Sequence, residues 1–191
     1  VNGTVYEDAD VYAFVKNNGG KVAVYKENLY KPMPGYRFIA SNTDRSRYYV
    51  GELNGKSSKQ AYMDALHISE SNIINQTFHN PIGKMNGQDI CIISLKEVSG
   101  NGLCCYRQVN DSDVLVLLEE QDYNEILDET LQRIRRDFNH ISGVFSINCV
   151  FRYLLFSQEH HMEDYLKTMS TLGDHAGLIG FGEHYNQQFV N

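Results

Sequence analysis

The sequence has no tryptophan, and its 17 basic residues are outnumbered by 24 acidic ones, giving a formal net charge of −7. A nucleic-acid-binding domain normally carries a basic stripe. Here the densest cationic stretch, with Arg133, Arg135 and Arg136, shares a predicted helix with Asp128, Glu129 and Asp137 and is typical of a solvated helix face. We therefore expect no nucleic-acid partner.

Long apolar runs are also missing. No stretch approaches the roughly 18 apolar residues that a bilayer-spanning helix needs, and residues 1–4 lack the basic and apolar regions of a signal peptide. We expect no direct membrane contact by this chain. It opens on a predicted turn and stops just after the apolar stretch Phe189-Val190, so we expect it to be a piece of a longer protein.

The chain contains no Cys-x-x-Cys pair, which argues against a zinc ribbon and a thioredoxin-like site. Its four cysteines, Cys91, Cys104, Cys105 and Cys149, lie in predicted strands, where a thiol behaves as a small core hydrophobe. We expect them to be reduced, which predicts a cytoplasmic location.

Motifs of common enzymes are absent too: we find neither Gly-x-Ser-x-Gly, nor His-Glu-x-x-His, nor a glycine-rich phosphate loop. Cys149 is the one candidate nucleophile, because Arg152 could stabilise its thiolate, but a buried strand position explains this cysteine better. His160-His161 with Asp164 has metal-ligand spacing, although chance surface placement explains it better. We predict no enzyme activity, no catalytic residue, no metal and no cofactor.

The 191 residues, 42% of them apolar, are enough for a sizeable core, and thirteen tyrosines suit strand faces or ligand pockets. Strands at 11–16 and 22–26 would form a first hairpin. A Pro-Gly loop at 31–35 is the best candidate boundary. Strands at 36–41 and 47–53, a helix begun by Ser57 or Ser58 and a strand at 73–78 would follow.

The second half alternates strands and helices. Residues 89–98 and 103–109 would form a second hairpin, and the apolar run 114–118 is typical of a central strand covered on both faces. Helices at 122–139 and 158–172 would enclose a buried strand at 142–151, and strands at 176–181 and 185–190 end the chain. We therefore predict an α/β (mixed α+β) fold, with a mixed, largely antiparallel sheet and three helices packed on it.

Polar residues follow two of the predicted strands. Asn148, Cys149 and Arg152 lie at the carboxyl end of one, and arginine suits the two-pronged binding of a carboxylate. Gly182 and Glu183 end another, where glycine permits close approach and the acid could hold an ammonium group. These five are the predicted ligand-binding residues. An ion pair between Arg152 and Glu183 is an equally open alternative.

These segments also carry a family resemblance. Asn148-Cys149-x-x-Arg152 and the later Gly180-Phe181-Gly182-Glu183 resemble the C-terminal part of the FIST domain (FIST_C), as do Glu52-Leu53-Asn54-Gly55-Lys56 with Ala61-Tyr62, and Phe78-His79-Asn80-Pro81-Ile82-Gly83. The resemblance extends over 36–191. It divides the chain into residues 1–34, the tail of a preceding N-terminal FIST part, and residues 35–191, the C-terminal domain.

The resemblance implies a sensory module of signal-transduction proteins that binds small molecules such as amino acids. In bacteria such modules are joined to signalling output domains, so the expected partners are a small-molecule ligand and an output domain or N-terminal FIST half in the parent chain. A second hypothesis is an interaction scaffold, in which this piece packs against the N-terminal half or dimerises through exposed strand edges.

Overall fold

A large antiparallel sheet forms the centre of the protein. The computed structural model describes residues 3–8, 12, 14, 16, 18–87, 89–185 and 188–190, with the side chains of Asp89 and of 183–190 excepted. The strands are β1 (Tyr30–Asp44), β2 (Tyr49–Leu53), β3 (Lys56–Ser57), β4 (Ile82–Asn86), β5 (Asp89–Ile93), β6 (Leu95–Ser99), β7 (Gly102–Cys105), β8 (Val114–Glu120), β9 (Val144–Cys149), β10 (His175–Gly180), β11 (Glu183–Tyr185) and β12 (Gln188–Val190). The α-helices are α1 (Ser58–Leu66), α2 (Ile73–Gln76), α3 (Tyr123–Asp137), α4 (Val150–Gln158) and α5 (Met162–Ser170).

The strand order in the large sheet is β5-β4-β8-β1-β2-β7-β6, with β3 paired to β2, and every neighbouring pair is antiparallel. Outside it, β9 and β10 pair in parallel, and β11 pairs with β12. The predicted mixed α+β class with a largely antiparallel sheet is confirmed. The described residues contain five α-helices where three were predicted.

Strand β8 contributes side chains to hydrophobic cores on both faces of the large sheet. Alternate side chains of a strand point to opposite faces of its sheet. Leu115 and Leu117 enter a core with Tyr62 of α1 and Ile73 of α2, whereas Val116 and Leu118 enter a second core formed with α3, α4 and α5. Both faces are covered, as predicted from the uninterrupted apolar run.

Capping residues mark the beginnings of α1 and α3. The Ser57 hydroxyl accepts a hydrogen bond from the Gln60 backbone N–H, so the predicted cap of α1 is confirmed. Asp122 caps α3 in the same way, and the buried residues Leu127, Leu131 and Ile134, spaced by four and three positions, form one apolar stripe along the helix. None of the helices in the described part of the chain has the length and apolar character of a membrane span.

Four element predictions, apart from that of β9, need correction. Residues 73–78 contain helix α2 rather than a strand, and 22–26 are irregular, while the other arm of that predicted hairpin (11–16) lies partly outside the described residues. Strand β1 runs through the predicted loop at 31–35, with a register shift between Pro32 and Arg37. The long helix predicted from 158 begins only at Met162.

Strand β9 differs most from its prediction. It lies outside the large sheet and ends at Cys149, and Phe145 and Ile147 are exposed, so the prediction of a buried strand over 142–151 is wrong. Register pairs Phe145 with Ala176 and Ile147 with Leu178, and all four side chains are exposed on the same face of the two-stranded sheet. The other face of β9 points toward α5, because the Asn148 amide contacts the Tyr165 hydroxyl.

Candidate functional site: the Arg152 cluster

The junction of β9 and α4 holds three of the five predicted ligand-binding residues. Asn148 and Cys149 end β9, and α4 begins at the next residue, Val150. Arg152 therefore lies in the first turn of a helix rather than at the end of a strand. This turn brings its guanidinium back toward Asn148, whose side-chain oxygen accepts a hydrogen bond from Nη1 at 3.4 Å.

Glu27 is the ion-pair partner of Arg152. Its Oε2 lies 2.7 Å from Arg152 Nη2, and the two side chains are 12% and 16% exposed respectively. The guanidinium also lies near two aromatic rings, 5.5 Å from the centroid of Phe156 and 5.8 Å from that of Tyr165. We call Glu27, Asn148, Arg152, Phe156 and Tyr165 the Arg152 cluster.

The ion pair leaves two polar atoms without a partner. Glu27 Oε1 and Arg152 Nε are buried, and neither hydrogen-bonds to any described protein atom. Each such group costs about 1–3 kcal/mol relative to a satisfied one, which is why native proteins contain few of them. The cluster thus retains one hydrogen-bond acceptor and one donor, both charged, that the described part of the chain does not use.

Tyr30 adjoins the Arg152 cluster. Its hydroxyl donates a hydrogen bond to the Phe78 carbonyl at 2.7 Å, and its ring lies against Phe151 of α4. Burial and the nearby charge of Glu120 raise the pKa of Tyr30, while the Arg152 guanidinium opposes the shift. Tyr30 is therefore a neutral hydrogen-bond donor between the Arg152 cluster and the carboxylate of Glu120.

The structure describes the other two predicted ligand-binding residues, Gly182 and Glu183, only in part. Gly182 lies in the bend between β10 and β11, with open space around its α-carbon. Glu183 begins β11, but its side chain lies outside the described residues, so the alternative of an ion pair with Arg152 stays a prediction. Sequence reasoning missed Glu27, since nothing in the sequence links it to a residue 125 positions away.

Histidine and carboxylate side chains meet at a place that the sequence analysis did not single out. His160 precedes α5 instead of sharing a helical face with Asp164, and His161 packs against the rings of Tyr123 and Phe156. The group with suitable spacing is His79, Glu120 and Glu159, which we call the His79 cluster. One sequence signal for it was available, because two glutamates end the apolar run of β8.

Comparison with protein families places these residues in a known domain. The family model of the FIST C domain matches residues 59–186, about two thirds of the chain. The chain belongs to the FIST C domain family. The resemblance inferred from the short motifs is thereby confirmed, and a FIST C domain is a sensory module of signal-transduction proteins rather than a known catalytic one.

The family match includes most of the Arg152 cluster. Asn148, Arg152, Phe156 and Tyr165 fall within the matched residues, whereas Glu27 precedes them. The ion pair thus joins the FIST C domain to a segment outside the match. Comparisons with curated proteins and with solved structures give no significant match.

Proposed function

We propose that this FIST C domain is a non-enzymatic sensory module that recognises a small molecule, such as an amino acid, in a cytoplasmic signal-transduction protein of the bacterial type. The observation that carries the proposal is the pair of unpartnered buried atoms, Glu27 Oε1 and Arg152 Nε. Asn148, Cys149 and Arg152, together with Gly182 and Glu183 from a later part of the chain, supply the binding residues. We also propose that the chain divides into residues 1–34, the tail of a preceding N-terminal FIST part, and residues 35–191, the C-terminal domain.

The unused atoms match the chemistry of an amino acid. The Arg152 Nε–H can donate to a carboxylate, and Glu27 Oε1 can accept from an ammonium group. Because both atoms are buried, a ligand reaches them only if the ion pair opens. Binding would then change how the segment containing Glu27 is held against α4, which is a structural change that an output domain can detect.

An amino-acid panel in a thermal-shift assay tests this proposal. A ligand present at a hundred times its Kd stabilises the folded state by about 2.7 kcal/mol, which is roughly 5–10 °C for a chain of this size. Arg152→Lys keeps the charge but loses the two-pronged geometry, so we expect the affinity of that ligand to fall at least about tenfold. Arg136→Lys, on the exposed side of α3, is the matched control and should bind normally.

Two results would contradict the proposal. One is a flat response across the panel with the full parent protein. The other is a ligand that stabilises Arg152→Lys as strongly as the wild type, which would remove Arg152 from the binding residues.

A second candidate function is an interaction scaffold, supported by the apolar face of β9 and β10. Phe145 is 65% exposed and Ile147 54%, next to Leu178 at 48%. Parallel strands are normally covered on both faces, and contiguous exposed apolar surface marks interaction sites. The partner we propose is the N-terminal FIST half of the parent protein.

Introducing a charge on this apolar face by mutation tests the scaffold hypothesis. Phe145→Glu should weaken binding of the separately produced N-terminal FIST half at least about tenfold, because a charge would be buried in an apolar contact. Phe14→Glu, at another highly exposed phenylalanine, is the control. Equal binding by wild type and Phe145→Glu in sedimentation velocity would exclude this face as the docking site.

A further inference from the structure

The His79 cluster brings an imidazole and two carboxylates together from three different elements. His79 Nδ1 lies 2.8 Å from Glu120 Oε2 and 3.7 Å from Glu159 Oε1. The candidate ligand atoms of the three residues all lie within 4.8 Å of one another. His79 is in the loop before β4, Glu120 ends β8 and Glu159 follows α4, so the cluster depends on the tertiary fold.

Backbone hydrogen bonds fix the three positions. The Glu120 N–H donates to the His79 carbonyl at 3.1 Å, and the Glu159 N–H donates to the Leu155 carbonyl at 3.0 Å. In addition, the side-chain amide of Asn80, next to His79, donates to the Leu118 carbonyl at 2.9 Å. Hydrogen bonds to neighbouring elements therefore hold the three residues in place, as a preorganised binding site requires.

A tyrosine orients one of the carboxylates. The Tyr123 hydroxyl donates to Glu159 Oε2 at 2.7 Å, while Oε1 of the same carboxylate faces His79. Hydrogen bonds of this kind to a ligating carboxylate commonly hold it in position for a metal. Glu159 thus has one oxygen held by the protein and one oriented toward the centre of the cluster.

The electrostatics of the cluster favour a cation. Burial and the negative charge of Glu159 raise the pKa of Glu120, and the hydrogen bond with His79 offsets this only in part. The three side chains are 19% to 36% exposed. A cleft of about 380 Å³, lined in part by Glu120, Tyr123 and Glu159, opens beside them. An ion has an entry route and room for water as a further ligand.

We propose that His79, Glu120 and Glu159 form a binding site for a divalent transition-metal ion of the Zn²⁺ class. Imidazole nitrogen selects such ions over Mg²⁺ and Ca²⁺, which prefer oxygen ligands alone. With bonds of about 2.0–2.2 Å, neighbouring ligand atoms lie about 3–3.6 Å apart, close to the 2.8 and 3.7 Å that separate His79 Nδ1 from the two carboxylates. On binding, bonds from His79 Nδ1 and Glu120 Oε2 to the ion replace the hydrogen bond between these two atoms, because a coordinating atom must be free of protons.

This inference is independent of the proposed amino-acid site. The His79 cluster and the Arg152 cluster share no residue, although α4 carries Arg152 near its start and Glu159 directly follows its end. A metal would tie this end of α4 to β8 in the large sheet. The site would therefore stabilise the helical layer against the sheet whether or not a small molecule binds at Arg152.

Calorimetric titration of the metal-free full chain with ZnCl₂ is the direct test. We expect one saturable equivalent, a rise in melting temperature with Zn²⁺ by mass action, and no comparable heat with MgCl₂. Glu159→Gln, which keeps the shape of the side chain and an acceptor for Tyr123, should lower Zn²⁺ affinity at least tenfold. Tyr123→Phe removes only the orienting hydrogen bond and should lower it by about 10–100-fold.

His160→Ala is the matched control, because His160 is an exposed histidine next to Glu159 that is not part of the cluster. Its Zn²⁺ affinity should equal that of the wild type. His79→Ala removes the imidazole ligand and should also lose Zn²⁺ binding. If this variant fails to fold, the absorption spectra of bound Co²⁺ in the wild type and in Glu159→Gln report on the ligand set instead. Undiminished Zn²⁺ binding by Glu159→Gln, a loss in His160→Ala, or equal binding of Mg²⁺ would overturn the proposal.

Discussion

Replacing Glu27 with Gln should lower the free energy of unfolding by about 3 kcal/mol or more. The substitution keeps the shape of the side chain but leaves the Arg152 guanidinium charged, mostly buried and without its carboxylate. Removing one partner of a buried ion pair typically costs about 3–5 kcal/mol, because the remaining charge is uncompensated. Urea unfolding of the wild type and Glu27→Gln under identical salt conditions measures the effect.

An exposed ion pair provides the control. Glu163→Gln removes a carboxylate from an i,i+4 pair with Lys167 whose side chains are 82% and 66% exposed, and surface pairs of this kind contribute little. Its urea midpoint should stay close to that of the wild type. If Glu27→Gln proves equally harmless, the ion pair between Glu27 and Arg152 does not stabilise the fold.

A double-mutant cycle separates the pair from its surroundings. Arg152→Met removes the charge and keeps much of the apolar stem that packs near Phe156. The double variant Glu27→Gln/Arg152→Met should be more stable than the sum of the two single losses predicts, because neither partner is left alone. Additivity within about 0.5 kcal/mol would mean that the two side chains do not interact energetically.

Leu117→Ala should destabilise the protein by about 2–5 kcal/mol, the range for removing a leucine side chain from a packed core. Leu117 is fully buried in the centre of β8 and packs into the core that contains Tyr62 and Ile73. Strand β8 lies between β1 and β4, and Leu117 itself pairs with Ile82 of β4, which limits how far the strand can shift to close the cavity.

Leu178→Ala is the matched control, because it makes the same change at a strand position that is 48% exposed. We expect it to alter the free energy of unfolding by no more than about 0.5 kcal/mol. Chemical denaturation of both variants gives the comparison. A small effect at Leu117 would contradict the description of β8 as a strand buried on both faces.

Periodicity made the central elements predictable from the sequence. The apolar run of β8 and the stripe of α3 are long enough for their pattern to outweigh local propensity. Residues 73–78 were misassigned because Ile73, Ile74 and Phe78 favour a strand in so short a run. In the fold the segment forms a helix that buries Ile73 in the core and leaves Asn75 exposed.

The site was less predictable for a physical reason. Asn148, Cys149 and Arg152 could be singled out as polar groups beside an apolar strand, but no turn signal marks the passage from β9 to α4, so the helix was missed. The contacts that give the cluster its chemistry join distant parts of the chain. Glu27 reaches Arg152 only after the segment before β1 packs on α4, and His79 meets Glu120 only through pairing of β4 with β8.

The position of β1 has a consequence for synthesis on the ribosome. The first half of β1 pairs only with β8, which leaves the ribosome after β2 to β7 and two helices have been made. Until then one edge of β1 is available to the edges of neighbouring nascent chains, the route by which unpaired strands aggregate. Pro32 and the register shift that follows it interrupt this edge, and proline cannot donate to a foreign strand. We therefore expect the irregularity in β1 to limit pairing with foreign strands until β8 has been made.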